Sequence, residues 1–592
     1  MAKVGVLSCA LASLAFAVIM LLACSDFGHG TSSQIEEQTQ NDTGINILTS
    51  AFPSPKEQNP FSVENMNKAF KSFILEKNAN AKDIPELKAN FLYVRFLPYG
   101  RQGEHELKAY DSSLALFKYP MDYNEIRKPV VYIDKTLPDS IVPYFASVPV
   151  GYEFGATPYE ILQELFLTQP LEEDDGDSQE GSRFVRAKKS NKANKEISAY
   201  MKSQGLAPSQ FEATVLINSG NSEIVGAADG QNRILARSSS APDDMVAWSW
   251  PWEKWTRWTP GGTLTFKDSS LVGNQPLVDA RVTAGYIYYW RSSWTDSKGH
   301  FKSPEKWTYS VHYEVLFDSY DFLLKDGHSW GGWYATDLSH KKKGTSYHQW
   351  DENFTGDVAK WCVVWTAAWN YWHGSDIGGL QRPRQSNWLN RMDIKVYYEP
   401  NNFDVKGRYR NPAIFEDIQI QAYDRKHVAI YGTTIHEIAH SVHFANLDLS
   451  AGNAVAGASM GYLANVAGYS PLSASAAVLG VKGWQSLKYE GLPLILKESY
   501  ARGVQRYLVI KRYGAGAWNR ILYDNHWYDN EYTGIFEDLE DTNTTFANAK
   551  NDKNPCDRVS GITVPMAEKV FFKSDSWNGF KNNLMKAYPN GF

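Results

Sequence analysis

The sequence predicts a multidomain α+β protein. It should hold an N-terminal α/β module, a central region of short strands, and a C-terminal half in which a mixed sheet leads into a buried helix and a helical remainder. Three observations carry this. At 592 residues the chain is too long for one hydrophobic core. Short strand-like runs punctuated by Gly and Pro occupy about 261–326, while helix-like segments dominate from about 433 onward. Aromatic residues make up 14%, with 20 Trp and 34 Tyr, which favours β-rich parts. The formal net charge of -6 and pI near 6.1 exclude a strongly basic nucleic-acid surface.

Residues 1–23 read as an address. Lys3 supplies a positive charge, Val4 to Ala23 is apolar, and Leu21-Leu22-Ala23-Cys24 closes the run. This resembles a bacterial lipoprotein signal peptide, which implies cleavage before Cys24 and lipid attachment to its sulfur. The chain is then expected to be exported and anchored to a bacterial membrane, the outer membrane, on its periplasmic or cell-surface face. The competing reading is an uncleaved spanning helix, for which about twenty apolar residues suffice. Ala23 before the cysteine and polar Ser25-Asp26 after it favour the lipoprotein. Residues 24–55, rich in Ser, Thr, Gln, Asn and Gly, bury too little apolar surface to fold and read as a flexible tether. With Cys9 removed and Cys24 lipidated, Cys362 and Cys556 remain, either as a disulfide or as two separate buried thiols. Neither lies in a C-x-x-C.

Residues 56–171 read as the α/β module, with strands at Phe91–Leu97 and Pro129–Ile133 and a helix at Pro158–Thr168. The segment from Phe91 to about Phe166 is similar to a module at the N-terminus of various Bacteroidetes surface proteins, a likeness that implies no activity. Residues 172–245 form a charged linker or insert. The block Glu172–Asp177 faces basic residues from Arg183 to Lys195 and lacks the spacing of an EF-hand loop, so a solvated insertion is expected.

In 246–345, the strands Gly262–Phe266 and Pro276–Val282 and the turn Thr295–Phe301 follow the order Pro-Leu, Ala-x-Val, Thr-Asp-x-x-Gly-x-Phe. That order resembles carboxypeptidase-regulatory-like β-sandwich domains and implies a non-catalytic, positioning role. Tryptophans crowd both flanks, from Trp248 to Trp258 and from Trp330 to Trp372. They serve either as core filler, the expected role for rings that bury so much area, or as a sugar-stacking surface.

The last region, 346–592, carries the chemistry. Met392–Tyr398 alternates like a strand, and Thr433-Thr434-Ile435-His436-Glu437-Ile438-Ala439-His440 follows a strand-like His427–Tyr431. If helical from an N-cap at Thr433 or Thr434, this stretch places His436 and His440 one turn apart on one face, with Glu437 at its edge. Ile435, Ile438, Ala439 and Val442 back the helix with apolar surface. The pattern is H-E-x-x-H, and it resembles the zincin metallopeptidases. The resemblance implies Zn²⁺ held by the two histidines and a third ligand, with Glu437 as general base.

The third ligand sets the subfamily. Metzincins would need Gly at 443 and His or Asp at 446, but the chain has His443 and Asn446. Leu496-Lys497-Glu498-Ser499-Tyr500-Ala501 is similar to the glutamate-bearing helix of gluzincins, which implies Glu498 as ligand, 58 positions after His440. An Asp four residues on, as in thermolysin, is replaced by Arg502. Asp448, which would resemble an aspzincin, and Glu490 are the alternatives. His443 is expected to pack rather than to ligate, because three turns of one straight helix do not wrap a tetrahedral ion. Tyr500, Tyr523 and His526 are candidate oxyanion stabilisers. Ala451–Leu479, dominated by Ala, Gly, Ser and Leu, reads as close-packed helices or a flap over the cleft.

The expected function is therefore a lipid-anchored zinc peptidase acting on extracellular or periplasmic proteins or glycoproteins. The alternative is a non-catalytic surface lipoprotein that binds glycans or glycoproteins through a degenerate zincin fold.

Overall fold

A computed structural model describes, with internal gaps, residues 46–48, 59–167, 196–206, 258–399, 407–409, 418–446, 494–518, 536–540 and 561–589. The chain divides into two units. The smaller comprises residues 1–47 with 125–130, of which only 46, 47 and 130 are described. The larger comprises residues 48–124 and 131–592, and apart from Val130 all that follows concerns it. It is α+β, with mixed helices and several sheets.

Helix α1 (Val63–Lys77) buries Met66, Phe70, Phe73 and Ile74 on one face, and Ser62 Oγ caps it by accepting the Asn65 N–H at 3.2 Å. Strand β1 (Phe91–Phe96) leads into helix α2 (Gly100–Tyr110) and sits between β2 (Tyr144–Pro149) and β3 (Tyr159–Leu165), antiparallel to both. The expected strand at Phe91–Leu97 is thus β1, and that at Pro129–Ile133 is observed at Val130–Tyr132. The helix expected over Pro158–Thr168 is instead β3. Its Tyr-Glu-Ile-Leu-Gln-Glu-Leu order suits either state, and pairing along the whole of β1, from Phe91↔Leu165 to Phe96↔Tyr159, decides for the strand.

The central strands are β4 (Gly261–Lys267), β5 (Asn274–Pro276), β6 (Arg281–Tyr286), β7 (Tyr289–Trp294), β8 (His300–Lys302), β9 (His312–Leu316), β10 (Phe322–Asp326), β11 (Ser339–Lys341) and β12 (Glu352–Phe354). One sheet runs β8-β4-β12 with β5 beside β4; a second, wholly antiparallel, runs β11-β9-β6-β7. The single strand expected over Pro276–Val282 is broken between β5 and β6, where Asp279 has φ +54°. Gly262 is required in β4: at φ +149° an added Cβ would lie 2.1 Å from the Trp350 carbonyl oxygen.

A third four-stranded sheet is mixed. Its order is β10-β13-β15-β14, with β13 (Met392–Tyr397) and β15 (Ile418–Gln421) parallel to β10, and β14 (Gly407–Tyr409) antiparallel at the edge. The division near residue 345 is crossed in both directions. Strand β10 precedes it yet joins the mixed sheet, and β12 follows it yet pairs with β4. One face of the mixed sheet is apolar, with Phe322, Leu324, Met392, Ile394, Val396, Ile418 and Ile420 fully buried. On that face lies helix α3 (Gly356–His373), whose Trp365 and Trp372 rings sit 4.8 and 5.2 Å from Phe322.

Helices α4 (His427–Asn446), α5 (Leu494–Tyr513), α6 (Val564–Phe571) and α7 (Trp577–Ala587) complete the described chain. A continuous hydrophobic core runs from Phe61 to Leu584, with a smaller second cluster around Val94 and Tyr144. Trp307, Trp350 and Trp365 are fully buried members of the large core. Among the described residues, no helix is long and apolar enough to cross a membrane.

Candidate metal centre

Helix α4 begins earlier than its sequence suggests. His427–Tyr431, expected as a strand, forms its first turns, and Thr433 and Thr434 lie inside it rather than capping it. Val428, Ile430, Tyr431, Ile435, Ile438, Ala439 and Val442 are all buried, so the helix is surrounded by protein, and tertiary packing overrides the strand preference of its β-branched residues. Thr434 Oγ1 returns a hydrogen bond to the Ile430 carbonyl at 2.9 Å, as a hydroxyl in a helix interior does. Helix α5 packs closely on α4 at Gly432, where an added Cβ would meet Gln505 at 2.8 Å and Val509 at 3.3 Å.

This packing brings three side chains to one point. His436 Nε2, His440 Nε2 and a Glu498 carboxylate oxygen are mutually 3.2 Å apart. Around an ion with bonds of about 2.0–2.1 Å, tetrahedral angles place ligand atoms about 3.3–3.4 Å apart, so the triangle fits such an ion. Two imidazole nitrogens and a carboxylate are also the donor set that borderline divalent metals prefer. Among the described residues, this is the only group of three or more His, Cys, Asp or Glu whose ligand atoms converge in this way. The side chain of His436 is 4% exposed, against 15% for His440 and 20% for Glu498. The cluster is therefore backed by the core and open on one side, as a centre that must admit a fourth ligand requires. Burial alone would push the Glu498 carboxyl up; the charges and hydrogen bonds of His440 and His436 hold it well below the usual carboxylate range.

In comparisons with protein-family models, curated proteins and solved structures, no match to this chain was found. The reading of the site rests on its own geometry.

Glu437, next along α4, is buried without joining the triangle. Arg425, in the turn between β15 and α4, lies in its electrostatic field and donates to Thr433 Oγ1 at 2.8 Å and to the Gln421 carbonyl at 3.1 Å. Burial lowers the Arg425 guanidinium to about 10, against the opposing pull of Glu437. His443 packs, as expected: it is buried, with ring centroids 4.9 Å from Phe571 and 6.1 Å from Tyr500.

Tyr500 does not face the triangle. It lies two residues past Glu498, about 200° round the helix at 3.6 residues per turn. Fully buried, it donates its hydroxyl to Glu568 at 2.8 Å, which leaves it no part in oxyanion stabilisation. Cys362 is buried in α3, and burial pushes its thiol up. Cys24, Asp448, Glu490, Tyr523, His526 and Cys556, and the Ala451–Leu479 stretch, lie outside the described residues.

Two buried acids of this region, Asp268 and Glu568, had no signal that sequence patterns reveal. Asp268 sits in an ordinary Asp-Ser-Ser turn, and Glu568 is one glutamate in a short amphipathic helix.

Proposed function

We propose that this chain is a zinc-dependent peptidase of gluzincin type, with His436, His440 and Glu498 as the metal ligands and Glu437 as the general base. The observation that carries the reading is the 3.2 Å triangle of two imidazoles and one carboxylate, open on one side, with a buried carboxylate one residue from the first histidine. A bound Zn²⁺ would supply Lewis acidity, polarising a peptide carbonyl and lowering the pKa of a water toward neutrality. Glu437 takes the proton of the attacking water on its carboxylate and returns it to the leaving amine nitrogen. The Arg425 guanidinium lies in the electrostatic field of that carboxylate.

The mixed sheet supports a peptide substrate. Its antiparallel edge strand β14 lies against α4, and its outer backbone edge has no strand partner among the described residues. An extended peptide can add to such an edge through main-chain hydrogen bonds. The resemblance of residues 1–24 to a lipoprotein signal peptide supports a substrate among extracellular or periplasmic proteins. The glycan-binding alternative leans on exposed tryptophans. Of the flanking ones described, Trp350, Trp365 and Trp372 are buried and Trp258, Trp361 and Trp369 partly buried. Trp294 between the flanks is 36% exposed, and Trp248–Trp255, Trp330 and Trp333 lie outside the described residues.

The test is metal binding and turnover together in the full-length protein. One zinc per chain, lost in His436→Ala and kept in Glu437→Gln, with peptide hydrolysis lost in both, is the expected result. Undiminished hydrolysis by Glu437→Gln would refute the assignment.

A further inference from the structure

We propose that Asp268, a residue of the central β-region, is the positioning residue that holds the two ligand-bearing helices in register, and so sets the distance from the His436–His440 pair to Glu498. This rests on the metal reading above and adds to it a control point remote from the cluster.

Asp268 directly follows strand β4 and is 1% exposed. The turn it opens is tight: its Oδ1 accepts the Ser270 N–H at 2.9 Å and its carbonyl accepts the Leu271 N–H at 3.1 Å. That turn caps α4 from another part of the chain. Ser270 Oγ accepts the Val428 N–H at 3.1 Å, one of the donors that a helix start leaves unmet, and the Ser269 N–H donates to His427 Nδ1 at 3.0 Å.

The other carboxylate oxygen reaches the opposite end of α5. Asp268 Oδ2 accepts the Tyr513 hydroxyl at 2.7 Å and lies 3.6 Å from the Arg512 guanidinium, and these are the last two residues of α5. The joint is closed by rings: Tyr431 of α4 meets Tyr513 edge-on at 5.3 Å and lies 5.3 Å from the Arg512 guanidinium carbon. Asn370 of α3 donates to the Tyr431 hydroxyl at 3.1 Å. One carboxylate thus ties the first turn of α4 to the last turn of α5, where the helices run antiparallel.

The cluster lies farther along the same pair, midway along α4 and in the second turn of α5. At 1.5 Å per residue, His436 is about 13 Å along α4 from His427, and Glu498 about 22 Å along α5 from Tyr513. Between these points the helices pack closely, with Gln505 and Val509 of α5 against Gly432 of α4. Asp268 adds to that packing a polar tie at one end of the contact. Burying a carboxylate is costly unless it is paired and hydrogen-bonded. Desolvation raises the pKa of this one, but His427, Ser270, Tyr513 and Arg512 together hold it below the usual range.

The experiment measures zinc affinity by chelator competition, and the visible spectrum of the Co²⁺-loaded protein, in full-length wild type, Asp268→Ala, Asp268→Asn and Tyr513→Phe. Val94→Ala, in the separate N-terminal cluster, serves as a control that lowers thermal stability alone. Expected are a loss of zinc affinity on the order of tenfold in Asp268→Ala with a shifted Co²⁺ band, a smaller loss in Asp268→Asn, and no change in either readout for Val94→Ala. Asp268→Ala that binds zinc as tightly as wild type with an identical Co²⁺ spectrum would overturn the inference. If Asp268→Ala does not fold, Asp268→Asn and Tyr513→Phe decide by the same two readouts. Wild type that binds no metal would instead overturn the metal reading, and this inference with it.

Discussion

Glu568 makes the fold sensitive to pH in a way that can be worked out from its surroundings. It sits on α6, 2% exposed, and accepts the Gln381 N–H at 2.6 Å and the Tyr500 hydroxyl at 2.8 Å. Burial raises its carboxyl to about 7; the two hydrogen bonds and the adjacent Lys569 offset only part of that cost. With an ordinary value of 4.5 in the unfolded chain, the folded state keeps a proton between pH 4.5 and 7 that the unfolded state gives up. This stability is fully present below pH 4.5 and is lost as pH rises to about 7. The difference of about 2.5 units corresponds to roughly 3 kcal/mol. Glu568→Gln resembles the protonated acid in shape and charge. It should lie within about 1 kcal/mol of wild type at pH 4.5, the cost of a poorer hydrogen bond, and be more stable by roughly 2–3 kcal/mol at pH 8. Urea unfolding at the two pH values, followed by tryptophan fluorescence, measures both. Equal stabilities of wild type and variant at pH 8 would refute the reasoning.

Three further expectations follow from the same geometry. Glu437→Gln should lower peptide turnover by about 10²–10⁴-fold while zinc content stays at the wild-type level, as read by elemental analysis beside the activity assay. Gly432→Leu places a bulky side chain where Gln505 and Val509 already touch the helix, so α4 and α5 must separate; roughly 1–3 kcal/mol of stability should go, with weakened zinc binding, both read by denaturation and chelator competition. Native Cys362 should resist alkylation by iodoacetamide and react only after unfolding, because its thiol is buried and its pKa raised, which mass spectrometry checks directly.

The two histidines were legible because their signal is local: the i, i+4 spacing of His436 and His440 fixes their shared face on any helix. Glu498 came only from the resemblance to the gluzincin glutamate helix, with Asp448 and Glu490 left open, because nothing near it in sequence ties it to a point 58 positions away. What surrounds the triangle was not legible, because it depends on distant pairing. His427–Tyr431 carries β-branched residues that suit a strand, and only burial on every side makes it helix. Tyr159–Leu165 suits helix or strand until β1 lies beside it. Strand β10 reads as part of the central β-region, and its parallel pairing with β13, some seventy residues on, reassigns it. Tyr500 looked available beside Glu498, but Glu568, 68 residues later, takes its hydroxyl. Asp268 is the extreme case, since nothing near it in sequence points to two helix ends.

Whether His436, His440 and Glu498 hold one zinc ion is read most directly by elemental analysis of the purified full-length protein, wild type beside Glu498→Ala, after dialysis against zinc and removal of the excess. About one zinc per wild-type chain and clearly less in the variant is the expected result. A folded wild-type protein that retains no zinc, or a variant that retains as much as wild type, would contradict it.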